Sequence, residues 1–448
     1  MRVLLVRPRV LNAITVFGAL DCEPLELEYL AAACRAAGHL VQIYDGVVTY
    51  QPFTQAVAAF LPGVVAVTGY LTQEREMEAY VRLAKRVCPH CVTVIGGVHA
   101  QLCWRRLTFQ GVDFLYRSES TAGFTALLSA LEEHRPPTGI PGLCWRQGDG
   151  WAMEPYQPCD IDTLPLPDRS GWADSAHWFH YFDWPSLSTM KTSVSCPYPC
   201  TFCYGRHLHG GRYQARDLSL VLDELEAVPG ETVFFVDSDF LLEEDRIRAF
   251  LAGVRDRGIH KRYLCYARAD FIAAHPALMA ALKEAGFVAL LVGLEAADST
   301  RLEEWDKGTT QAVNQTCVQV LRDSGLDCIA LMIADPGFTR GEFQQLYRWV
   351  KRMGLRYVSV QILTPLPATP YYDQQAQALT TTDFSQFDLN HLVVAPTHMT
   401  RRQFLRRHRW TLFRLFLLGW RRGAYRFVTP RYGLRVLIRW FRRSRTLS

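Results

Sequence analysis

Residues 187–205 read Leu187-Ser-Thr-Met-Lys-Thr-Ser-Val194-Ser-Cys196-Pro-Tyr-Pro-Cys200-Thr-Phe-Cys203-Tyr-Gly205. A strand-like run, Leu187–Val194, passes directly into a loop with three cysteines within eight positions. Thiols so spaced can put three sulfurs on one centre. A structural zinc site needs four protein ligands, and His207 as the fourth stands at a spacing that suits no common zinc module well. A cubane iron–sulfur cluster held by three cysteines, with one iron open, is the better match. Zinc and chance spacing remain the alternatives.

Downstream, strand-like runs alternate with helical ones. Thr232–Asp237, Arg262–Ala267, Val288–Leu294, Cys328–Ile333 and Tyr357–Leu363 read as strands, and Ser219–Ala227, Asp245–Arg257, Pro276–Ala285, Thr310–Ser324 and Arg340–Met353 as helices. Six β/α units are fewer than the eight of a closed barrel, so an open (β/α)6 partial barrel is expected. Upstream, Arg2–Val6, Leu40–Tyr44, Val64–Thr68, Cys91–Ile95 and Val112–Tyr116 alternate with the helical stretches Leu25–Ala37, Phe53–Phe60, Glu76–Val87 and Ala122–Glu133. That alternation predicts a doubly wound parallel sheet. Ligands of such sheets sit at the carboxyl ends of the strands. Those ends carry Thr68-Gly69-Tyr70, Gly96-Gly97-Val98-His99 and Ser118-Glu119-Ser120. No G-x-G-x-x-G follows the first strand, so a dinucleotide is not indicated. The fold class is therefore α/β. The expected divisions are a doubly wound domain over 1–137, a proline-rich connection over 138–186, a partial barrel over 187–370 and a basic helical region over 371–448.

The chain has 448 residues, 49% hydrophobic and 21% charged, which excludes a disordered, collagen-like or all-membrane protein. Thirteen cysteines are too sparse for a disulfide scaffold. Met1-Arg2 runs into Val3–Val6 and then Arg7 and Arg9, too short an apolar run for a secretory leader. A reducing cytoplasm is expected, extending to the inner face of the membrane if the basic end docks there. From Arg401 to Ser448 there are 15 arginines and no lysine or acid, while the rest carries 34 basic and 44 acidic side chains. Trp410, Phe413, Phe416, Trp420, Trp440 and Phe441 lie among those arginines. The readings are an anionic membrane surface, packing on the acidic body, and, least suited to so many large apolar neighbours, nucleic acid. No apolar run approaches the roughly 20 residues of a spanning helix.

The cysteine loop resembles the signature of the radical S-adenosylmethionine enzymes, C-x3-C-x2-C with an aromatic residue before the last cysteine, here Phe202. The resemblance runs from about Leu187 to Pro370. It implies that Cys196, Cys200 and Cys203 bind a [4Fe–4S] cluster whose open iron chelates S-adenosylmethionine, and that reductive cleavage yields a 5′-deoxyadenosyl radical. By the same matching Phe202 lies by the adenine, Asp237 and Asp239 by the methionine amino group, Arg268 by the methionine carboxylate and Glu295 by the ribose. An acidic pair at a strand end also serves as a cap or loop group, and Arg268 also has Asp270 within reach as a partner.

A doubly wound domain ahead of that core resembles the cobalamin-binding class of these enzymes, with Glu23-Pro-Leu-Glu-Leu-Glu-Tyr-Leu-Ala-Ala, Gly96-Gly97-Val98-His99-Ala100 and Leu164-Pro-Leu-Pro-Asp168-Arg typical of it. Cobalamin contacts are then expected at Thr68, Gly96, Gly97 and Glu119. The D-x-H-x-x-G motif of a lower histidine ligand does not occur, and His99 reads as a polar loop residue. Ser118-Glu119-Ser120 stands where many relatives carry Gly-Glu-Gly-Glu, and Ala368 where glycine is common. Val292-Gly-Leu-Glu295, Asp306-Lys-Gly-Thr309 and Leu363-Thr-Pro-Leu-Pro367 resemble the hopanoid C-3 methylases, with the oxidative cyclase of anaerobic chlorophyll synthesis more distant. The implied activity is cobalamin-dependent C-methylation of an unactivated carbon, on a polycyclic isoprenoid lipid such as a hopanoid, with an external electron donor. A radical oxidoreductase or cyclase without methyl transfer is the alternative.

Two further cysteine features read as structural. Cys88-Pro-His-Cys91 lies between a helix end and a strand start, unlike a thioredoxin motif. Cys265, on the third barrel strand, is expected near the barrel interior.

Overall fold

A computed structural model describes residues 1–9, 20–49, 51–172, 179–430 and 432–433. Residues 434–448 of the basic end, with Trp440 and Phe441, lie outside the described residues. The chain divides into two compact units. The first takes in Met1–Ala176 and His207–Arg212, the second His177–Arg206 and Tyr213–Val428.

In the first unit β1 (Arg2–Arg7), β2 (Leu40–Asp45), β3 (Val64–Thr68), β4 (Val92–Gly96) and β5 (Phe114–Tyr116) form a parallel sheet in the order β2-β1-β3-β4-β5. Alternation along β1 shows why it is covered on both sides. Val3 and Leu5 pack with Leu27, Ala31 and Cys34 of α1 (Leu25–Ala36) and Phe124, Leu127 and Leu128 of α5 (Thr121–Glu132). Leu4 and Val6 face the other way, onto α2 (Phe53–Phe60) and α3 (Glu74–Val87) through Phe53, Val57, Met77 and Val81. Each such buried side chain contributes about 1.5–3 kcal/mol. The direction of strand addition reverses between β1 and β3, which makes their carboxyl ends the switch point of the sheet.

The stretch 138–186 is more than a connection. Its β6 (Leu143–Gln147) and β7 (Gly150–Met153) extend this sheet in antiparallel fashion from β5. Their exposed, mixed-polarity outer residues gave no clean period to read. A short helix, α4 (Val98–Cys103), also follows β4 directly, where a loop was expected.

The second unit holds six parallel strands in chain order: β8 (Leu187–Met190), β9 (Thr232–Phe235), β10 (Arg262–Ala267), β11 (Phe287–Glu295), β12 (Asp327–Ala334) and β13 (Tyr357–Ile362). All neighbours are parallel, and β8 and β13 are the two edges, so the barrel is open as expected. One core packs the outward side chains of this sheet (Val233, Phe235, Tyr263, Leu290, Ala330, Val360) against the intervening helices. Cys265 belongs to that helix-facing core, with no exposure. The expectation that it nears the barrel interior is thus corrected: it shares a face with Tyr263 and Ala267, two residues away on either side, because side chains alternate along a strand. A helix, α6 (Arg401–Arg421), opens with a capping box of Thr400 and Gln403 and buries Phe404 and Leu415 in the same core.

Candidate cofactor sites

After β8 the chain makes a short antiparallel pair, Ser193–Val194 with Gln214–Ala215, which brackets the cysteine loop. Ser195 takes φ +65°, a left-handed conformation uncommon outside glycine, immediately before Cys196. The middle of the loop is pinned through Thr201, whose N–H donates to the Trp305 carbonyl at 3.1 Å and whose carbonyl accepts from the Tyr371 N–H at 3.0 Å. Cys200 is buried. Burial raises the pKa of the Cys196 thiol and pushes that of Cys203 up to about 11.

The strand ends place the remaining predicted groups in the same unit. Asp237 and Asp239 follow β9 and differ sharply. Asp237 accepts from the backbone N–H groups of Thr192 and Ser193 at 2.7 and 3.0 Å and is bonded to the Thr192 hydroxyl, so it is a brace for the chain entering the loop. Asp239 is buried, and neither of its carboxylate oxygens has a hydrogen-bond partner. Burial, offset in part by Arg268 and Lys307, pushes its pKa up to about 7. A buried carboxylate with both oxygens unmet is a group that a cationic donor would satisfy.

Arg268, after β10, does pair with Asp270, at 2.9–3.3 Å. It also donates to the Lys307 carbonyl at 2.7 Å, stacks 3.6 Å from the Tyr198 ring centroid, and brings Nη1 to 4.0 Å from the Cys200 sulfur. The pair with Asp270 is therefore present, and the same guanidinium lies beside the Cys200 sulfur. Glu295 closes β11 in a left-handed conformation, φ +58°, at a register shift in the strand, and accepts from Lys307 Nζ at 2.9 Å in a buried pair. Non-glycine residues held so are typical of sites where geometry is imposed by function. Phe202 packs edge-on to Trp305, centroids 5.9 Å apart, beside a small core of Ala296, Leu302, Ile333, Leu363 and Tyr371. Ala368, where glycine is common among relatives, has φ +68°, the region glycine enters freely.

Sequence reading did not single out Lys307, Trp305 or Tyr198. The phrase Asp306-Lys-Gly-Thr309 was a signal for the first, but its role appears only when β11 brings Glu295 alongside.

In the first unit Thr68 ends β3 and Gly96-Gly97 end β4. Gly97 has φ +92°, and a Cβ there would lie 2.4 Å from Thr68 Oγ1. Cβ atoms at Gly69 and Gly46 would likewise meet Met77 Sδ at 2.8 Å and the Arg9 backbone nitrogen at 2.6 Å. Glycine at these strand ends is thus required by close packing against Thr68, Met77 and Arg9. Glu119 follows β5, and its Oε2 accepts from the Tyr156 hydroxyl at 2.8 Å. The flanking serines are used rather than merely tolerated, since Ser120 Oγ caps α5 by accepting from the Gly123 N–H at 3.1 Å. His99 is buried on α4 with Nε2 3.0 Å from Glu74 Oε2, so it is a partnered helix residue and not a loop residue. Cys91 is buried with its pKa pushed up to about 12 by burial, and Cys88 donates to the Pro62 carbonyl at 3.5 Å, an inert arrangement.

Residues 12–128 match the B12 binding domain, and residues 190–350 match the Radical SAM superfamily. The chain therefore carries the two domains of a cobalamin-binding radical S-adenosylmethionine enzyme, and both methylases and cyclases stand among its relatives. It is 27% identical over 411 residues to the hopanoid C-3 methylase of Methylococcus capsulatus, covering 90% of this chain and 78% of that one. It is 23% identical to the anaerobic magnesium-protoporphyrin IX monomethyl ester cyclase of Cereibacter sphaeroides, covering 85% and 65%. Two solved structures share the fold. The cobalamin-dependent S-adenosylmethionine radical enzyme OxsB, with aqua-cobalamin and S-adenosylmethionine bound, gives a TM-score of 0.75 at 15% identity, covering 92% of this chain and 66% of that chain. The radical S-adenosylmethionine methyltransferase TsrM of Kitasatospora setae, with cobalamin and a [4Fe–4S] cluster bound, gives 0.69 at 19% identity, covering 91% and 84%. The family's cofactors are a [4Fe–4S] cluster, S-adenosylmethionine and cobalamin.

Proposed function

We propose that this enzyme transfers a methyl group to an unactivated carbon, with a polycyclic isoprenoid lipid such as a hopanoid as the substrate class. The observation that carries the proposal is the set of groups around the cysteine loop: an unpartnered buried Asp239, the Arg268 guanidinium beside Cys200, and the buried Glu295–Lys307 pair. Cys196, Cys200 and Cys203 would hold the cluster, Asp239 the methionine amino group, Arg268 the carboxylate, Glu295 the ribose, and Phe202 the adenine side. Such a site supplies a carbon radical when loaded, and hydrocarbon carbons need one because they have no acidic proton for a side-chain base to take. The chain's own contribution is to neutralise and orient. Arg268 and Lys307 set positive charge beside thiolates that burial alone would keep protonated, and the Asp237 brace fixes where the loop begins.

Cobalamin would lie over Thr68, Gly96, Gly97 and the loop at Glu119, without a histidine ligand from a D-x-H-x-x-G motif. The lipid class rests on the similarity to the hopanoid C-3 methylase over nine-tenths of the chain. An external electron donor is part of the proposal. So is docking of α6 at an anionic membrane, where an apolar substrate resides. Among the described residues no helix is long and apolar enough to cross a membrane.

The test is product mass analysis. The anaerobically reconstituted enzyme, a reductant and methyl-deuterated S-adenosylmethionine are incubated with a lipid extract. A lipid gaining the labelled methyl is expected. A product oxidised or cyclised without added methyl mass would favour the second reading, which the similarity to the protoporphyrin cyclase motivates. Production of 5′-deoxyadenosine by the wild type and its loss in Cys200→Ala would tie either outcome to the loop.

A further inference from the structure

A second set of ligand-type side chains lies within the first compact unit. Glu119, Cys159 and His209 bring one ligand atom each to within 4.8 Å of one another, the one such set among the described residues. The three come from distant parts of the chain: the loop after β5, the polypeptide six residues beyond β7, and the turn His209-Gly210-Gly211. His209 is 1% exposed, and neither Nδ1 nor Nε2 has a hydrogen-bond partner. Its Nδ1 stands 3.6 Å from Glu119 Oε2, too far for a hydrogen bond and close enough to share an ion. A fully buried imidazole with two idle nitrogens is costly unless something fills the gap, since an unmet buried polar group costs about 1–3 kcal/mol.

The surroundings are built to hold these groups. The Tyr156 hydroxyl donates to Glu119 Oε2 at 2.8 Å, which orients the carboxylate. The turn carrying His209 is left-handed at three successive residues, φ +53°, +64° and +78°. A Cβ at Gly210 would come within 3.0 Å of the Tyr156 ring and 3.2 Å of Pro158, so the turn is seated against the segment that carries Cys159.

We propose that Glu119, Cys159 and His209 form a site for one zinc-type divalent cation, separate from the three-cysteine loop. The donors are one thiolate, one imidazole and one carboxylate, a mixed set that suits zinc better than calcium or magnesium. Three protein ligands leave one position for water or a further ligand. Binding displaces the Cys159 proton to solvent and leaves the ion's oxidation state unchanged.

The full-length protein, loaded with its cluster and cobalamin, is dialysed against zinc and then against metal-free buffer. Metal content is measured together with zinc-edge X-ray absorption, which neither iron nor cobalt obscures. About one zinc per chain with a single sulfur among nitrogen and oxygen ligands is expected. His209→Ala should lower retained zinc at least tenfold while iron and cobalamin stay at wild-type levels. Cys159→Ser should remove the sulfur shell. Retention of zinc equally in both variants, a sulfur-free shell in the wild type, or no zinc after dialysis would overturn the site. Should His209→Ala lose iron and cobalamin as well, the decision passes to Cys159→Ser, whose sulfur shell must vanish while iron remains. The outcome does not depend on methyl transfer.

Discussion

Asp239 is 4% exposed with both oxygens unpartnered, two residues from an aspartate whose oxygens are filled by Thr192 and Ser193. Replacing each should have opposite signatures. Asp239→Asn is expected to weaken S-adenosylmethionine binding by roughly tenfold or more, the loss of one charge-assisted hydrogen bond, measured by equilibrium dialysis on cluster-loaded protein. The same change should stabilise the empty protein above neutral pH. The folded pKa of about 7 lies above the ordinary 3.8, so this group's contribution is fully present below 3.8 and is lost as pH rises through about 7. The amide removes that loss, and the gain should shrink toward acid pH in thermal melts. Asp237→Ala should instead cost about 2–4 kcal/mol at any pH near neutral, from two buried N–H groups left unpaired. Equal effects of the two substitutions would refute this division of roles.

The Glu295–Lys307 pair gives a second prediction at this scale. Lys307→Met leaves a buried carboxylate uncompensated and should cost about 3–5 kcal/mol. Adding Glu295→Leu should recover most of that stability in chemical denaturation while leaving nucleoside binding impaired. A single substitution without measurable cost would show the pair to be solvent-screened.

At the scale of elements, α6 packs with one side and presents another. Phe404 and Leu415 are in the core, and the buried His408 meets the Val360 carbonyl at 2.9 Å through Nε2. Trp410, Phe413 and Trp420 are 54%, 50% and 58% exposed, with Arg402, Arg406, Arg409 and Arg421 also exposed and no acid on the helix. The core-packing reading thus describes one face of this helix, and the membrane docking proposed above would use the other. Replacing all three aromatics by serine should cut co-sedimentation with anionic vesicles severalfold, with stability changed by no more than about 0.5 kcal/mol. Binding that persists in the variant, or that is indifferent to vesicle charge, would remove the helix as a docking element.

The element boundaries show what local pattern can report. The strand Val64–Thr68 and the helices Phe53–Phe60 and Arg340–Met353 were read to the residue, and most others to within one or two. These segments bury a regular face, so period and burial coincide. The β6–β7 hairpin was not legible. It is an edge, exposed along much of its length, and its pairing with β5 is a long-range contact with no signature in the segment itself.

Across the first unit, the phrases near residues 23 and 168 that signalled the cobalamin-binding class prove to meet. Arg169 donates to Glu23 at 2.6 Å and contacts Glu28 at 3.3 Å, and Asp168 N–H donates to the Glu28 carbonyl at 3.1 Å. Burial, reinforced by Glu23, raises the Glu28 pKa well above its ordinary 4.5. Its stabilising contribution is thus whole below 4.5 and declines as pH rises toward the raised value. Denaturant midpoints should fall from pH 5 to pH 9, and Glu28→Gln should flatten that slope. An unchanged slope in the variant would assign the dependence to other groups.

The residues alone determined the spacing of the three-cysteine loop, the six-unit count of the open barrel and the doubly wound order of alternation. All of these are written in short-range spacing, where a few neighbouring positions suffice. Tertiary structure decided which of Asp237 and Asp239 is spent on the backbone, which way Cys265 faces, what Lys307 neutralises, and that Glu119, Cys159 and His209 converge. Each of those depends on contacts between segments tens of residues apart, whose meeting is set by how sheets and helices stack and not by the order of side chains along any one of them.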